Sequence, residues 1–490
     1  MLFSKGDMVV HPDFGPGKVV RAFGGLSTVS FFGDAIDVED DLLTLVSRAA
    51  PIVPDRTNED YSHDKAAFRK AFEAINLGVA PPDCHQLIDL TIRSAELKSR
   101  ASNWLANAPE TGLCKAVFGY YGSGKSHLLQ FVQCMALQAG WAVAYVEFDP
   151  KAADPAKPHL VYQNLMAALE FPAREDGRQA KGFMDFIKEV RDHWDSKSIR
   201  HDPVFRSNPW FSNTFEILMK FPHMPDVLEN YRDACLWLAG NHSAFQTVNA
   251  LAREKGLRNK VPRMPATKET ADIYVHHLVV VNALCRLIGY KGLVIILDEA
   301  EHVRGYNVRR RERANNLFDL LARSAHLPDF DDIEPVMNDH GFQVPTYWCE
   351  GPHFGLLVGL TEGDTFRDPT LSLREACVFL RTEEDRVMLS NPSCDDYAQW
   401  AQLLLEKFTR FYPLQMQLLT SSKARVSIVE CLAQIYPETP DGITLRNLTK
   451  LACLVPCIIL AQPEITLDNL LIHLRTAAAN YLGNELPWES

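Results

Sequence analysis

Residues 119–126 read Gly-Tyr-Tyr-Gly-Ser-Gly-Lys-Ser, which has the form G-x-x-x-x-G-K-S of a phosphate-binding loop. The preceding run Lys115–Phe118 predicts a short buried strand, and Ser126–Ala136 predicts a helix. Glycine permits backbone angles that let consecutive N–H groups wrap a phosphate chain at a helix N-terminus. A strand, a glycine-rich loop and a helix in this order predict an α/β core that binds a nucleoside triphosphate.

The loop also predicts individual roles. We expect contacts to the nucleotide from Gly119, Gly122, Ser123, Gly124, Lys125, Ser126 and His127. Lys125 would reach the β- and γ-phosphates, and the Ser126 hydroxyl would bind Mg²⁺. The alternative, a strand-to-helix turn with an accidental Lys-Ser pair, is disfavoured because the strand and the helix that the motif requires are both predicted.

A second motif lies far downstream, where the apolar run Leu293–Leu297 is followed by Asp298 and Glu299. A continuous apolar run is typical of a central parallel strand that is covered on both faces. Asp298 would emerge beside the phosphate loop and help to hold Mg²⁺, and Glu299 would polarise the attacking water. The alternative is a buried strand that ends in a polar turn. Glu301 is either a second acid or, as we expect, a solvated residue at a helix start.

Composition sets the limits of the interpretation. A chain of 490 residues predicts two or three domains with a large core. The net charge of −12 gives no global electrostatic footprint for nucleic acid, so any DNA contact requires a local patch. The eleven cysteines form no C-x-x-C pair, which suggests neither a disulfide framework nor a zinc site. No signal pattern or membrane-length apolar run is evident, so we expect no membrane contact and a cytoplasmic location.

The chain divides into segments of different character. Residues 1–50 contain short strand patterns separated by Gly, Pro and Asp turns, which predict a small SH3-like or Tudor-like β-barrel. Residues 51–63 predict a linker, and residues 64–391 an α/β core with a helical insertion at about 156–289. Residues 392–490 predict a C-terminal helical lid. A purely structural N-terminal cap is the alternative for the first segment.

Five strands are predicted in the core, at Lys115–Phe118, Trp141–Phe148, Leu293–Leu297, Phe354–Leu360 and Arg386–Leu389. Helical patterns between them predict a parallel sheet with right-handed crossovers. Two helices are predicted before the first strand: an amphipathic one within Phe68–Pro81 that ends at a glycine, and a second over roughly Cys84–Ala106. A helical segment after a fifth strand is the arrangement of AAA+ ATPases. The predicted fold class is therefore α/β: an AAA+ P-loop core with a C-terminal helical lid, preceded by a small β-barrel.

Three stretches resemble the ATP-binding proteins of bacterial BREX-type phage-defence systems, a divergent AAA+ group related to origin-recognition ATPases. They are Ala71–Pro81, the loop Gly119–His127 and the Asp-Glu-Ala-Glu sequence at 298–301. The resemblance covers roughly residues 64–460. It implies a Mg²⁺-dependent ATPase of a defence system that works beside a helicase or a methylase.

The N-terminal segment carries a separate resemblance. Its phrase Gly-Asp-x-Val-x-His-Pro-x-Phe-Gly-x-Gly is similar to the opening of CarD-type RNA-polymerase-binding domains and of the barrel in UvrD-type helicases. In such relatives the barrel docks onto another protein. Residues 1–50 hold four basic and seven acidic residues, which also favours a protein partner over a phosphate backbone. We therefore expect a helicase or another defence-system protein to bind here.

The AAA+ resemblance implies further site residues. Thr361 follows the fourth strand and fits the sensor that hydrogen-bonds the attacking water; the alternative is a strand-end threonine bonded to its own backbone. Arg446 resembles the lid arginine that contacts the γ-phosphate, or is a helix-surface cation. Arg381, and less so Arg374, occupy the region of the arginine finger that reaches a neighbour's nucleotide. A finger implies a homo-oligomer; the alternative for both is a plain surface arginine.

Two basic stretches are candidates for DNA contact. Arg304–Arg323 carries six arginines against Glu312 and Asp319, and Arg253–Lys268 carries six basic residues against Glu254. Phosphate contact is one interpretation, and a solvated helix face is the other. Two functions therefore follow from the sequence. The first is an ATPase that remodels DNA or protein complexes, and the second is a nucleotide-gated assembly scaffold with little turnover.

Overall fold

The structure is a computed structural model. It describes residues 8–11, 15–23, 26–31, 34–39, 44–47, 58–81, 83–173, 180–219, 228–254, 256, 261, 270–325, 352–362, 385–390, 392–436 and 445–482. The chain divides into two compact units, Met1–Phe68 and Arg69–Ser490.

The first unit contains a five-stranded antiparallel sheet. Its strands are β1 (Met8–His11), β2 (Gly15–Phe23), β3 (Leu26–Phe31), β4 (Asp34–Glu39) and β5 (Thr44–Ser47), in the order β4-β3-β2-β1-β5. One valine from each of β2, β3 and β4 is buried, namely Val19, Val29 and Val38. The short strands agree with the sequence pattern, and closure of the sheet into a barrel stays a prediction.

The described residues before the phosphate-loop strand contain three helices: α1 (Asn58–Leu77), α2 (Cys84–Asp89) and α3 (Ser94–Thr111). The prediction of a single helix over Cys84–Ala106 is wrong, because the helix is interrupted between α2 and α3. Arg93 there adopts a left-handed φ of 57°, which no α-helix can contain. The Ser94 hydroxyl donates to the Ile88 carbonyl at 2.7 Å and so stabilises the break.

The second unit is built around a six-stranded sheet in the order β11-β6-β10-β9-β7-β8. The strands are β6 (Leu113–Tyr120), β7 (Ala142–Glu147), β8 (Leu169–Glu170), β9 (Leu293–Asp298), β10 (Gly355–Glu362) and β11 (Arg386–Met388). Every pairing is parallel except that of β7 with β8. The five predicted strands and their parallel arrangement are confirmed, and β8 is an addition at the edge.

Strand β9 explains why a continuous apolar run marks the centre of this sheet. Ile295 packs into one buried hydrophobic cluster, and Val294 and Ile296 pack into another. Alternate side chains point to opposite faces, and helices cover both, so every residue of β9 is buried.

Helix α4 (Lys125–Gln138) follows β6, α5 (Pro158–Ala167) lies between β7 and β8, and a series of helices separates β8 from β9. In the described residues the series is α6 (Gly182–Asp192), α7 (Pro203–Ser207), α8 (Pro209–Met219), α9 (Leu228–Leu238), α10 (Phe245–Glu254) and α11 (Ala271–Leu287). Aromatic rings fill the space between them, as where Trp194 stacks on Phe215 with ring centroids 5.6 Å apart. This stretch is helical as predicted, and its description as a separate insertion stays a prediction.

Within the described ranges, helix α12 (Val308–Ala325) lies between β9 and β10, and five helices follow β11. They are α13 (Cys394–Phe411), α14 (Gln417–Thr420), α15 (Ser422–Ile435), α16 (Leu445–Ala461) and α17 (Leu467–Leu482). They dock on the elements before β6: the Trp400 indole N–H donates to the Leu90 carbonyl at 2.7 Å, and Phe72 meets Phe408 edge-on. No helix within the described ranges is long and apolar enough to cross a membrane.

One disulfide corrects the expectation drawn from cysteine spacing. Cys84, at the start of α2, is bonded to Cys134 in α4. The two residues are 50 apart in sequence, and packing of α2 on α4 brings their Cα atoms to 5.4 Å. No short motif could reveal this pair, because tertiary contact alone creates it.

Candidate nucleotide-binding site

The sheet order gathers the two sequence motifs at one edge. Strand β10 lies between β6 and β9 and is parallel to both. The carboxyl ends of parallel strands share an edge, where open α/β sheets bind ligands. Register pairs Thr361 with Gly119, so the end of β10 lies directly beside the start of the phosphate loop.

The loop has the geometry of an anion site. Gly122 and Gly124 have φ values of 78° and 94°, which other residues rarely adopt. Gly124 is the N-cap of α4, and no side chain caps the helix. The first N–H groups of a helix lack intrahelical partners, and the helix dipole favours negative charge there. The N-terminus of α4 is therefore suited to phosphate.

Lys125 is buried in the loop, with only 8% of its surface exposed. Its Nζ donates to the carbonyls of Gly119 at 3.1 Å and Tyr120 at 3.3 Å. Burial lowers the pKa of Lys125, and the carboxylates of Glu301, Asp298 and Glu299 oppose that shift. Two backbone carbonyls of the loop thus hold the Lys125 ammonium, and the carboxylates of residues 298, 299 and 301 surround it with negative charge.

Two serines of the loop differ in their surroundings. The Ser123 hydroxyl is buried and has no hydrogen-bond partner among the described residues. Ser126, the second residue of α4, is exposed. A buried hydroxyl without a partner is costly, and a phosphate oxygen would satisfy it. The free helix end, Lys125 and Ser123 together fit a nucleoside triphosphate.

Asp298 is the best-held acid of the site, with 1% of its surface exposed. Its Oδ2 accepts from the Tyr145 hydroxyl at 2.8 Å, and its Oδ1 accepts from the Glu299 N–H at 2.9 Å. Burial, and then the charge of Asp298, raise the pKa of Tyr145, so the phenol stays protonated and donates. Burial and the neighbouring charges of Asp298 and Glu299 also raise the pKa of Glu147.

The acids by themselves make no preformed metal cage. Within the described ranges, no group of three or more His, Cys, Asp or Glu side chains could hold a metal ion. Magnesium is usually bound by one or two protein oxygens together with phosphate oxygens and water. Ser126 and Asp298 fit that limited set of ligands.

Glu299 is strained and paired. Its φ is 56°, in the left-handed region, which costs a non-glycine residue about 1 kcal/mol or more. The side chain is 50% exposed, and its Oε2 lies 2.9 Å from the Nε2 atom of His302. The carboxylate predicted to activate water is therefore engaged by a neighbouring imidazole.

Glu301 differs from its expected role as a solvated helix-start residue. Its Oε2 accepts the backbone N–H of Thr361 at 3.2 Å, and the side chain is half-buried. The carboxylate thus joins the end of β9 to the end of β10. Spacing along the chain could not show this, because Thr361 is 60 residues away.

Arg446, near the start of α16, reaches the phosphate loop. Its Nε donates to the Gly78 carbonyl at 3.0 Å, and its Nη1 donates to the Tyr121 hydroxyl at 3.0 Å. The guanidinium also lies 5.3 Å from the centre of the Tyr121 ring. Arg446 therefore contacts both the loop and the 71–81 stretch, and its roles as the lid arginine and as a γ-phosphate contact stay predictions.

His127 has a partner in the turn between α2 and α3. Its Nε2 lies 2.7 Å from the Thr91 hydroxyl, which also donates to the Leu87 carbonyl at 2.5 Å. Burial lowers the pKa of His127 to about 4, so the ring is neutral at pH 7. The imidazole links α4 to the turn between α2 and α3, and a nucleotide contact by His127 stays a prediction.

The remaining candidates are only partly described. Arg374 and Arg381 lie outside the described residues, as does most of Arg253–Lys268. In the stretch 304–323, three arginines have intramolecular partners. Arg310 pairs with buried Asp154 at 2.9 Å, Arg311 donates to the Tyr306 carbonyl, and Arg323 pairs with Asp319. These contacts reduce the number of cations in the stretch 304–323 that could bind DNA phosphates.

Sequence reasoning missed three residues of the site: Tyr145, Glu147 and Gly359. Tyr145 and Glu147 are polar residues near the carboxyl end of a predicted strand, and that position was the available signal. Gly359 had no signal, because only the fold brings it beside Asp298.

A glycine-rich loop at the N-terminus of a helix, with an acid strand at the same sheet edge, defines a P-loop nucleotide-binding protein. A family model described as "BREX system ATP-binding protein BrxC/D" matches residues 65–325, more than half of the chain. The chain belongs to this family, as the resemblance of its motifs predicted, and is an ATP-binding protein of a phage-defence system. A search of curated proteins found no match.

Proposed function

We propose that the chain is a Mg²⁺-dependent ATP hydrolase of the AAA+ class, acting in a BREX-type anti-phage system. The observation that carries the proposal is the shared edge of β6, β10 and β9. It supports a site in which the phosphate loop, the Asp298–Glu299 pair and Thr361 act on one nucleotide. The helices after β11 support the lid of such a core, and residues 1–50 would form the barrel.

Each residue has a role in this proposal. The loop N–H groups and Lys125 bind the β- and γ-phosphates, and Ser126 and Asp298 hold Mg²⁺. The bound ion would neutralise charge on the phosphate oxygens. Glu299 accepts a proton from the attacking water, for which it must leave His302, and the Thr361 hydroxyl orients that water.

Assembly completes the site. Arg446 contacts the γ-phosphate from the lid, and Arg381 or Arg374 reaches the nucleotide of a neighbouring copy in a homo-oligomer. The N-terminal segment binds a helicase or another defence-system protein, and the basic stretches touch DNA. ATP binding and hydrolysis would then remodel DNA or protein complexes together with a helicase or methylase partner.

The test is phosphate release by the purified chain with ATP and Mg²⁺, with and without duplex DNA. Lys125→Ala should abolish ATP binding, because it removes the cation that the phosphate loop itself supplies to the β- and γ-phosphates. Glu299→Gln should keep ATP binding and lose hydrolysis, because an amide cannot take a proton from water. Undiminished ATP binding by Lys125→Ala in calorimetry would refute the site assignment.

A nucleotide-gated scaffold with little turnover is the second candidate. The contact between Glu299 and His302 favours it. A general base that is bonded to another side chain cannot activate water, so ATP would be hydrolysed slowly. A scaffold would assemble with a non-hydrolysable ATP analogue as fully as with ATP in sedimentation experiments. Specific activity that rises with protein concentration, and falls with Arg381→Ala or Arg374→Ala, would instead support a hydrolase with a finger in trans.

A further inference from the structure

The carboxylate of Asp298 is fixed by groups from outside its own strand. The Tyr145 hydroxyl from β7 donates to Oδ2, and the backbone of Glu299 holds Oδ1. Tyr145 thus joins β7 to the end of the neighbouring strand β9, where one proposed magnesium ligand lies.

Strand β10 lies on the other side of β9 from β7, and its residue Gly359 lies against the Asp298 carboxylate. A Cβ atom at this position would lie 2.4 Å from Asp298 Oδ1 and 2.8 Å from Leu129 Cδ1. Real Cβ atoms do not approach other atoms so closely, so any side chain here would displace the carboxylate. The absence of a side chain at 359 therefore gives the Asp298 carboxylate the space that it occupies.

We propose that Tyr145 is a positioning residue that, with Gly359, orients the Asp298 carboxylate for a divalent cation. This inference rests on the proposed function, since it takes Asp298 as a metal ligand. Groups that hydrogen-bond a ligating side chain fix its orientation, and their loss typically weakens metal binding by about 10- to 100-fold. Tyr145 itself binds no phosphate and takes no proton.

The experiment measures metal binding rather than turnover. Mn²⁺, in place of Mg²⁺, is titrated by electron paramagnetic resonance into the full chain saturated with a non-hydrolysable ATP analogue. Tyr145→Phe should weaken Mn²⁺ binding by about 10-fold or more. Affinity for the analogue in EDTA, and the thermal midpoint without nucleotide, should stay near the wild-type values. Gly359→Ala should weaken Mn²⁺ binding in the same way, because it pushes the carboxylate out of place.

Tyr290→Phe is the matched control. Its hydroxyl donates to the Glu189 carboxylate at the same 2.8 Å, but this pair lies in the helical stretch away from the loop. The Tyr290→Phe variant should leave Mn²⁺ binding unchanged. Wild-type Mn²⁺ affinity in Tyr145→Phe would overturn the inference. An equal loss of metal-free nucleotide affinity and thermal stability would also overturn it, because the role would then be structural. A wild-type protein that binds the analogue no better with Mn²⁺ would instead refute the proposed function.

Discussion

Arg446 donates a hydrogen bond to the hydroxyl of Tyr121 and thereby fastens the first turn of α16 to the phosphate loop. A second bond from the same side chain reaches the Gly78 carbonyl. Three segments far apart in sequence meet at one guanidinium. The start of α16 is therefore joined directly to the phosphate loop and to the end of α1.

Arg446→Ala should loosen this connection. The change removes two hydrogen bonds and a cation–π contact, which together are worth about 1–3 kcal/mol at a partly exposed site. Hydrogen exchange should become faster in the first turn of α16 and in residues 77–81, as measured by mass spectrometry. Lys450→Ala, on the same helix, is the control and should leave exchange there unchanged. Equal exchange in Arg446→Ala and wild type would contradict the fastening role.

His302→Ala should raise the hydrolysis rate, since it frees the Glu299 carboxylate. A hydrogen bond between two exposed side chains is worth up to about 1 kcal/mol, so the gain should be at most about five-fold. Steady-state phosphate release at saturating ATP measures it. The double variant with Glu299→Gln should be inactive, which would show that the gain acts through Glu299. A lower rate in His302→Ala would mean that the imidazole positions the base instead of restraining it.

Acid should destabilise the helical stretch between β8 and β9. Burial, followed by the nearby His353, lowers the pKa of His276 to about 3, and burial also lowers the pKa of His277. A histidine whose pKa is lower in the folded state is neutral in both states above the unfolded pKa of about 6.5, so it costs no folding stability there. Below that pH the unfolded state binds a proton that the folded state does not, and the free energy of unfolding decreases. Stability should therefore fall as pH decreases from about 6.5 towards 3, by up to about 1.4 kcal/mol per pH unit for each histidine.

Urea unfolding followed by tryptophan fluorescence between pH 7 and 4 measures this slope. His276→Asn should make the slope shallower by about one proton, whereas His473→Asn, at an exposed position in α17, should not change it. A slope that is the same in His276→Asn and wild type would contradict the assignment.

Cys84→Ser should lower the stability of the oxidised protein. The disulfide to Cys134 closes a loop that contains the whole phosphate-binding motif. The chain-entropy model gives about 4 kcal/mol for a loop of about 50 residues. The thermal midpoint should fall in the variant, and dithiothreitol should lower that of the wild type but not that of Cys84→Ser. Cys394→Ser, which removes a free cysteine, should respond to dithiothreitol as the wild type does.

Deletion of residues 1–50 should leave ATP binding intact and abolish capture of a defence-system partner. The segment belongs to a separate compact unit, so its loss should not open the core of the other. Calorimetry measures the first outcome, and a pull-down after nuclease treatment measures the second. If the N-terminal segment binds duplex DNA with a steep dependence on salt, a protein-docking role is wrong.

The sequence by itself determined the parallel core and the two motifs of the site. Periodicity located β6, β7, β9, β10 and β11, because buried parallel strands are continuous apolar runs that local composition reveals. The loop at 119–126 and the acids at 298 and 299 were likewise evident, since each motif is contiguous in the chain.

Only the tertiary structure decided how those acids are held. The hydroxyl of Tyr145, the space at Gly359 and the Glu301–Thr361 bond arise where neighbouring strands end side by side. The Cys84–Cys134 bond and the reach of Arg446 join residues 50 and more than 300 positions apart. Sequence patterns report which face of an element is buried, but not which side chain of another element lies against it, because that depends on how the elements pack.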